Sequence, residues 1–556
     1  MAQQLAAAGD VVLARVALDA HIAAAPNDSA SRQVRAAMGR AIAAQYPMPE
    51  HATSAPAADA TEARIKDAMD ASRAGNTAGA MAIYRDLIAG GTIYARPFAN
   101  LGLLLARTGA LDEALAIYRR GLALAPDDPG LLFNVGTLLY RRRGLPLAIL
   151  CFRRVVRVMP DWVDAHYNLG IALHDAQIFE DAAEAFRRAA QIQPGDSRIW
   201  NNLGNSLFAI GEVDAAIGCY TRALALREGS PDRSSAASAR SAAAIRYNRG
   251  LARLMQGDYA HGFADMATRY DDANIVAMGG YRAHASPRWR GEDIAGRTIM
   301  IVGEQGMGDT VQFVRYLPML KARGAKILFR AHAALLPLLR DLGAIDRLLP
   351  IEGEAEFDER IDFHAPLLDL PHLFATTLET GPAEIPYLRV DPARVAAWRA
   401  AIPADGYNIG IVWAGNPANP NDRLRSCALA NFAPLAGLPG VALYALQKGD
   451  ASLQIKGATF PIVDLAARSN DFADTAAAIE SLDLVISVDT AIVHVVGALG
   501  RPAWVLLHQV PDWRWMLGRD DSPWYPSLRL FRQTERGNWS GVFEQVEAAL
   551  RHDAGD

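Results

Sequence analysis

Cysteine is scarce. There are three in 556 residues (Cys151, Cys219 and Cys427), with no Cys-x-x-Cys or Cys/His spacing. A disulfide framework or structural zinc site is not expected, and a reducing compartment fits. Basic charge is not in excess either. Lys plus Arg is 56 against 61 Asp plus Glu, a formal charge of −5, so nucleic acid or an anionic membrane is not an expected partner. An uninterrupted apolar run of about 18 residues, the length of a membrane span, is also missing. Even VVGALGRPAWVLLHQV is broken by Arg501. The opening MAQQLAAAGDVVLARVALDAH is interrupted by Asp10, Arg15 and Asp19. No basic start precedes an apolar core there, so a signal peptide is not expected and a cytoplasmic location is. What remains is a globular composition, 51 % apolar and 21 % charged, on a chain long enough for several domains of roughly 150 residues.

The first half repeats itself. Gly102, Gly136, Gly170 and Gly204 are spaced 34 residues apart, as are Ala114, Ala148, Ala182 and Ala216. Tyr118, Phe152, Phe186 and Tyr220 keep that step, and Pro126, Pro160 and Pro194 close successive units. This is the tetratricopeptide pattern, two antiparallel helices per unit. Glycine and alanine let the helices approach, the aromatic fills the gap between them, and proline ends the second helix. Weaker copies flank these units, at Gly75, Ala80 and Tyr84, and at Gly9, Ala14 and Pro26. A degenerate unit at Asn248, Gly250 and Gly257 follows a polar insert and is expected to cap the stack.

Two residues before each marker glycine stands an asparagine: Asn100, Asn134, Asn168, Asn202 and, in the capping unit, Asn248. Asparagine inside a helix costs about 0.6 kcal/mol against alanine. Its amide offers a donor and an acceptor. A ladder of such amides on an inner face would grip the backbone of an extended peptide, which makes these five the candidate acceptor-binding residues. The alternative is that each amide bonds a neighbouring helix, or was simply inherited through duplication.

From about Gly296 strands alternate with helices, which implies parallel sheets. TIMIVG (298–303), AKILFRA (325–331) and IDFHAPLLDLPHLF supply strands of a first α/β half. YNIGIVWAGN (407–416), VALYALQKG (441–449), LVISVD (484–489) and PAWVLLH (502–508) supply a second. The expected outcome is an all-α repeat region followed by a pair of Rossmann-like α/β domains with a cleft between them. The last helix, near 541–551, is expected to fold back and brace the first half.

Ligands in such sheets bind at the carboxyl ends of strands. There Asp489 and Thr490 open a helix whose N-terminal amides attract anions, and His494 lies one turn on as a further donor. Gln447 and Lys448 end a neighbouring strand. Asn416, Arg423, Arg425 and Ser426 follow another, and paired arginines suit a phosphate. In the first half, Gly306 and Gly308 permit a tight turn beside a ligand. Asp309 is the candidate general base or else a helix cap, with Glu304 in reserve. Trp513, Trp515, Trp524 and Tyr525 form either a lid or ordinary packing.

These residues carry a resemblance. EQGMGDTVQFVRYLP, IVWAGN…NDRLRS, LQKG, DFADTAAAIESLDLVISVDTAIVHVVGALGRPAWVLL and PDWRW…SPWYP…RLFRQ resemble bacterial tetratricopeptide-repeat proteins fused to a GT-B glycosyltransferase domain similar to the ADP-heptose heptosyltransferases. The asparagine spacing is similar to that of eukaryotic O-GlcNAc transferase. The resemblance implies an inverting, metal-independent glycosyltransferase with Asp309 as base and no cofactor, the nucleotide-sugar being a substrate. It implies donor binding by Gly306, Gly308, Asn416, Arg423, Arg425, Ser426, Gln447, Lys448, Asp489, Thr490 and His494. No Asp-x-Asp triplet is present to hold a metal. The usual basic residue after the position of Trp413 is a lysine, whereas this loop offers Arg423 and Arg425. Val488-Asp489-Thr490 replaces the usual Gly-Pro-Ser.

The repeats point to a protein acceptor, and a resemblance to the repeat-bearing flagellin glycosyltransferases of bacteria makes flagellin a candidate. Two alternatives stand: a glycosyltransferase of lipopolysaccharide or exopolysaccharide assembly docked by its repeats, and a non-catalytic repeat scaffold with a decayed transferase half. The implied organisation is a helical repeat-like segment at 1–45 and a Pro/Ala-rich linker at 46–60. The repeat stack follows at 61–270, with a polar insert near 227–241. An acceptor-side domain at 271–400 and a nucleotide-sugar domain at 401–556 complete it.

Overall fold

The computed structural model describes residues 10–24, 29–46, 55–229, 236–271, 284–353, 360–402, 406–419 and 421–555, with Ala2 and Leu5. Gly9, Pro26, most of the linker and the centre of the polar insert lie outside them. The chain forms two compact units, Met1–Ile210 and Gly211–Asp556. Among the described residues no helix is long and apolar enough to cross a membrane.

The first unit is a stack of helix pairs. Ala95–Arg107 pairs with Leu111–Leu124, Pro129–Arg141 with Leu145–Val158, and Val163–Asp175 with Phe179–Ile192. The 34-residue period has a packing cause. A Cβ on Gly102 would lie 2.3 Å from the Tyr118 ring, on Gly136 2.8 Å from Phe152, and on Gly170 2.7 Å from Phe186. Each aromatic therefore lies flat against a glycine of its own unit. All three rings are about 1 % exposed, and Ala114, Ala148 and Ala182 are wholly buried. Each such ring contributes about 1.5–3 kcal/mol of burial. The second helices end at Leu124, Val158 and Ile192, two residues before each proline, because the residue preceding proline is pushed out of helical geometry.

The turn inside each unit carries a second, unforeseen period. Gly75, Gly109, Arg143, Gln177 and Gly211 all take positive φ, at 81, 89, 61, 62 and 86°. Two of these five left-handed positions are filled by residues that pay for a Cβ there.

Ahead of the stack, Val11–Ala24 and Ser29–Gln45 form a helix pair whose Ala14 and Leu18 pack on Met38. Val11–Ala24 also lies against Leu111–Leu124 and Leu145–Val158. Asp19 there pairs with Arg154 at 2.8 Å, both nearly buried. The next helix, Ala55–Arg73, begins inside the segment read as linker.

The second unit starts with helices Val213–Glu228, Ala236–Met255 and Tyr259–Met266. The first two occupy both flanks of the 227–241 insert. Two parallel sheets follow. The first contains β1 (Thr298–Val302), β2 (Lys326–Ala331), β3 (Arg347–Pro350) and β4 (Phe363–Pro366), in the order β3-β2-β1-β4. The second contains β5 (Tyr407–Val412), β6 (Val441–Ala445), β7 (Val463–Asp464), β8 (Leu484–Val488), β9 (Ala503–Leu507) and β10 (Leu528–Arg532). Its order is β10-β9-β8-β5-β6-β7.

Every residue of β8 and β9 is buried, as continuous Val/Ile/Leu strands covered on both faces must be. The C-terminal helix Trp539–Gly555 corrects an expectation. Its Val542, Phe543, Val546 and Leu550 join Ile409, Ile411, Trp413 and Leu506 in the core of the second sheet, so it covers that sheet and does not brace the first half. In both sheets the chain order reverses beside the first strand, between β1 and β4 and between β5 and β8. In sheets of this kind the crevice for a ligand lies at such a reversal, outside the strands' carboxyl ends.

Candidate functional site

Two strand-to-helix turns meet in the second unit. After β1 the loop runs through Glu304, Gln305 and Gly306 into helix Met307–Phe313, with Asp309 in its first turn. One Asp309 oxygen accepts from the Gly306 N–H at 2.8 Å. The other is paired with the Arg514 guanidinium. After β8, Asp489 and Thr490 lead into helix Ala491–Ala498. The Thr490 hydroxyl contacts the Ser487 hydroxyl at 3.2 Å, and the Thr490 side chain makes no capping hydrogen bond among the described residues.

The two helix starts face each other across Gly308. A Cβ there would lie 2.8 Å from His494 Cδ2, and 3.4 Å from both His494 Nε2 and the Ala491 Cα. Only glycine permits this approach.

Arg514 is the centre of charge between the turns. It pairs with Asp309, donates to Gln312 and Asp512 (2.8 Å to Asp512), and stands over the Trp513 ring at 4.5 Å. Burial raises the Asp309 carboxyl above its usual range, against the pull of Arg514 and the Gly306 N–H. Burial, and then the negative charge of Asp512, push Asp489 up to about 6. Arg425, the nearby Trp515 indole N–H and Arg514 oppose this. Burial, with Arg514 and Arg315 nearby, drives His494 well below the ordinary histidine range. Its ring stacks on Trp515 at 5.6 Å and its Nδ1 lies 3.0 Å from the Tyr525 hydroxyl. Tyr247, from helix Ala236–Met255, adds a hydroxyl bonded to Gln305 within the field of Asp309 and Asp512.

Asp309, Gly306, Gly308, Asp489, Thr490, His494 and Arg425 are thus gathered at one place. Other candidates point elsewhere. Gln447 is buried with its amide fully used: it accepts from the N–H of Trp413 (3.0 Å) and Ala414 (2.9 Å) and donates to two carbonyls. It clasps the end of β5 to the end of β6. Lys448 donates to the carbonyls of Ser469 (2.6 Å) and Ala466 (3.3 Å). Asn416 is exposed and closes a local turn onto the Ala418 N–H at 3.0 Å. Arg423 is exposed. Ser426 bridges the Gly415 N–H and Asp422, each at 3.0 Å.

Glu304 is not a reserve base. It is 2 % exposed, bonded by Arg269, Tyr270 and the Leu368 N–H, and Arg269 also reaches Asp369 at 2.9 Å. Sequence reasoning missed Arg514 and Tyr247, and read Tyr525 only as lid or packing. Arg514 had a signal, a cation between two tryptophans in PDWRW.

The asparagine ladder is half-buried. Asn100 donates to the Tyr84 hydroxyl (2.9 Å), Asn134 to the Ala99 carbonyl (3.4 Å) and Asn202 to the Tyr167 hydroxyl (3.1 Å). These three amide nitrogens tie each repeat to the one before it, which is the neighbouring-helix alternative. The first unit also has a hollow of about 370 Å³, lined by Arg153, Pro160, His166, Leu169, Asp181 and Arg188 among others, and no ladder asparagine lines it.

Comparison with known proteins agrees with the repeats. Tetratricopeptide-repeat models match residues 66–129, 135–197 and 197–230. Protein FlbA of Caulobacter vibrioides is 28 % identical over 372 residues, 62 % of this chain and 59 % of FlbA, so the chain spans somewhat under two thirds of that relative's length. Among solved structures, MamA of Desulfovibrio magneticus RS-1 (41 to its end) is 20 % identical, with 31 % of this chain and 97 % of that one covered at a TM-score of 0.29. A MamA from AMB-1 is 22 % identical, with 30 % and 99 % covered at 0.28. The chain has a helical region of tetratricopeptide repeats followed by a region of parallel sheets. Such repeats are protein-interaction modules.

Proposed function

We propose that the chain is a GT-B glycosyltransferase that moves a sugar from a nucleotide-sugar donor to a hydroxyl of a protein acceptor held by the repeats. The observation that carries this reading is the close approach, at Gly308, of the turn that bears Asp309 to the helix that bears His494, beside the strand-order reversal between β5 and β8 and with Asp489, Thr490 and Arg425 nearby. The donor's diphosphate lies against the amides that open helix Ala491–Ala498, with Arg425 as counter-charge. A serine or threonine oxygen of the acceptor attacks the anomeric carbon. The carbon–oxygen bond to the phosphate breaks, the nucleoside diphosphate leaves, and Asp309 takes the hydroxyl proton. A carboxylate raised by burial is a better base than an exposed one. The leaving charge falls among fixed cations and helix amides, so no divalent metal or cofactor is part of the mechanism.

The test is intact-mass analysis of surface proteins, flagellin first, from cells with and without this chain. The expected result is a mass of one sugar residue lost with the chain. In the Asp309→Asn variant transfer should fall by about 10²–10⁴-fold. A second reading, a non-catalytic scaffold, is favoured by the Arg514 ion pair on Asp309. It predicts unchanged masses and an Asp309→Asn variant that complements fully.

A further inference from the structure

The proton on the His494 ring can be located by counting the protons available to its neighbours. Tyr387 has one hydroxyl proton, and it is given to the Val311 carbonyl at 3.0 Å. Arg315 Nη2 donates to the Tyr387 oxygen at 3.2 Å. A guanidinium cannot accept, so Tyr387 faces its next neighbour as an acceptor. That neighbour is the Tyr525 hydroxyl at 3.3 Å. Both contacts of the Tyr525 hydroxyl are hydrogen bonds only if Tyr525 gives its one proton to Tyr387. Its remaining partner, His494 Nδ1 at 3.0 Å, must then donate to the Tyr525 oxygen. A neutral imidazole carries one N–H, so Nε2 is left with a bare lone pair.

The surroundings keep this chain of bonds dry and in place. Tyr525 is fully buried and Arg315 is 4 % exposed. The guanidinium lies 4.6 Å from the Tyr387 ring centre and 4.7 Å from that of Tyr525. The Tyr525 ring lies so close under Gly497 that a Cβ there would come within 2.4 Å. Nε2 lies on the other edge of the imidazole, beside Gly308. Among the described residues it has no hydrogen-bond partner.

We infer that His494 is held as the Nδ1–H tautomer by the Tyr387–Tyr525 relay, and that its Nε2 accepts a hydrogen bond from a ligand hydroxyl at the junction of the two turns. This differs from the expectation that His494 is a donor to a phosphate or sugar hydroxyl: a bare lone pair repels an anionic oxygen and receives an O–H. That the hydroxyl belongs to the sugar or to the acceptor rests on the proposed transfer. The tautomer and the direction of the bond do not. Tyr525 and Tyr387 are positioning residues.

The test is nitrogen NMR of the full-length chain labelled with ¹⁵N-histidine, with the His494 signals identified by their loss in His494→Gln. Protonated and bare ring nitrogens resonate far apart, so the tautomer is read directly. The wild type should show a protonated Nδ1 and a bare Nε2. In Tyr387→Phe, Tyr525 loses its acceptor and turns its proton toward Nδ1, so the tautomer should invert. A wild type protonated at Nε2, or an unchanged ring in Tyr387→Phe, overturns the inference. Should Tyr387→Phe fail to fold, Tyr525→Phe serves. There Nδ1 loses its acceptor and the Nδ1–H population should fall, and a constant population overturns the relay. Failure of any nucleotide to bind would remove the transfer reading without touching this result.

Discussion

Asp309 and Arg514, 205 residues apart in the chain, form an ion pair that ties the first turn after β1 to the segment after β9. The Arg514 side chain is 9 % exposed and that of Asp309 17 %, so the pair is largely withdrawn from water. Removing one partner strands the other, a loss of about 3 kcal/mol or more. Arg514→Ala should therefore lower the denaturant midpoint strongly. Adding Asp309→Asn should return part of the loss, with a coupling of about 1–3 kcal/mol in a double-mutant cycle. Strict additivity of the two changes would show that the pair does not act as a unit.

Asp489 makes stability fall as pH rises. Its folded value, about 6, lies above the ordinary unfolded value of about 3.9. Its contribution is then fully present below about pH 4 and lost as pH climbs through about 6. Asp489→Asn has no proton to lose. Melting scans at about pH 4 and about pH 7.5 should show the variant gaining on the wild type at the higher pH. A constant difference between the two would mean that Asp489 titrates normally.

The turn period offers a stabilising change. Gln177 holds a φ of 62° where the equivalent residues 75, 109 and 211 are glycine. Gln177→Gly should stabilise the repeats by about 1 kcal/mol. Thermal unfolding followed by circular dichroism reads this as a higher midpoint, and a lower one would refute the strain.

Gly102→Ala should do the reverse, because its Cβ would lie 2.3 Å from Tyr118. Overpacking of this kind costs about 1–3 kcal/mol. Gly218, on a helix with nothing within 4 Å of its Cβ, is the control. There alanine should stabilise by up to about 1 kcal/mol.

The contrast between those two glycines explains how much could be read beforehand. The repeat was legible because one local contact, glycine on aromatic, recurs at every unit. The left-handed turns were not, since Arg143 and Gln177 hide the period. β8 and β9 were legible as unbroken apolar runs. β3 was not, because all four of its residues are only half-buried, and β10 was not, because arginines interrupt it. At the site, a strand end marks where a residue stands and not where its side chain goes. Gln447, Lys448 and Glu304 stand at strand ends, yet each is committed to the protein's own groups. Arg514 was missed although PDWRW marks it, since that motif does not say that its partner, Asp309, stands after a strand of the other sheet.

The central claim is that the β5/β8 crevice binds a nucleoside diphosphate. Calorimetric titration of the full-length chain with UDP, GDP, ADP and CDP tests it most directly. At least one should bind, and Arg425→Glu should weaken that binding by about tenfold or more, as expected for losing a charge-assisted contact. Heat-silent titrations with all four, or equal affinity in Arg425→Glu, would contradict it.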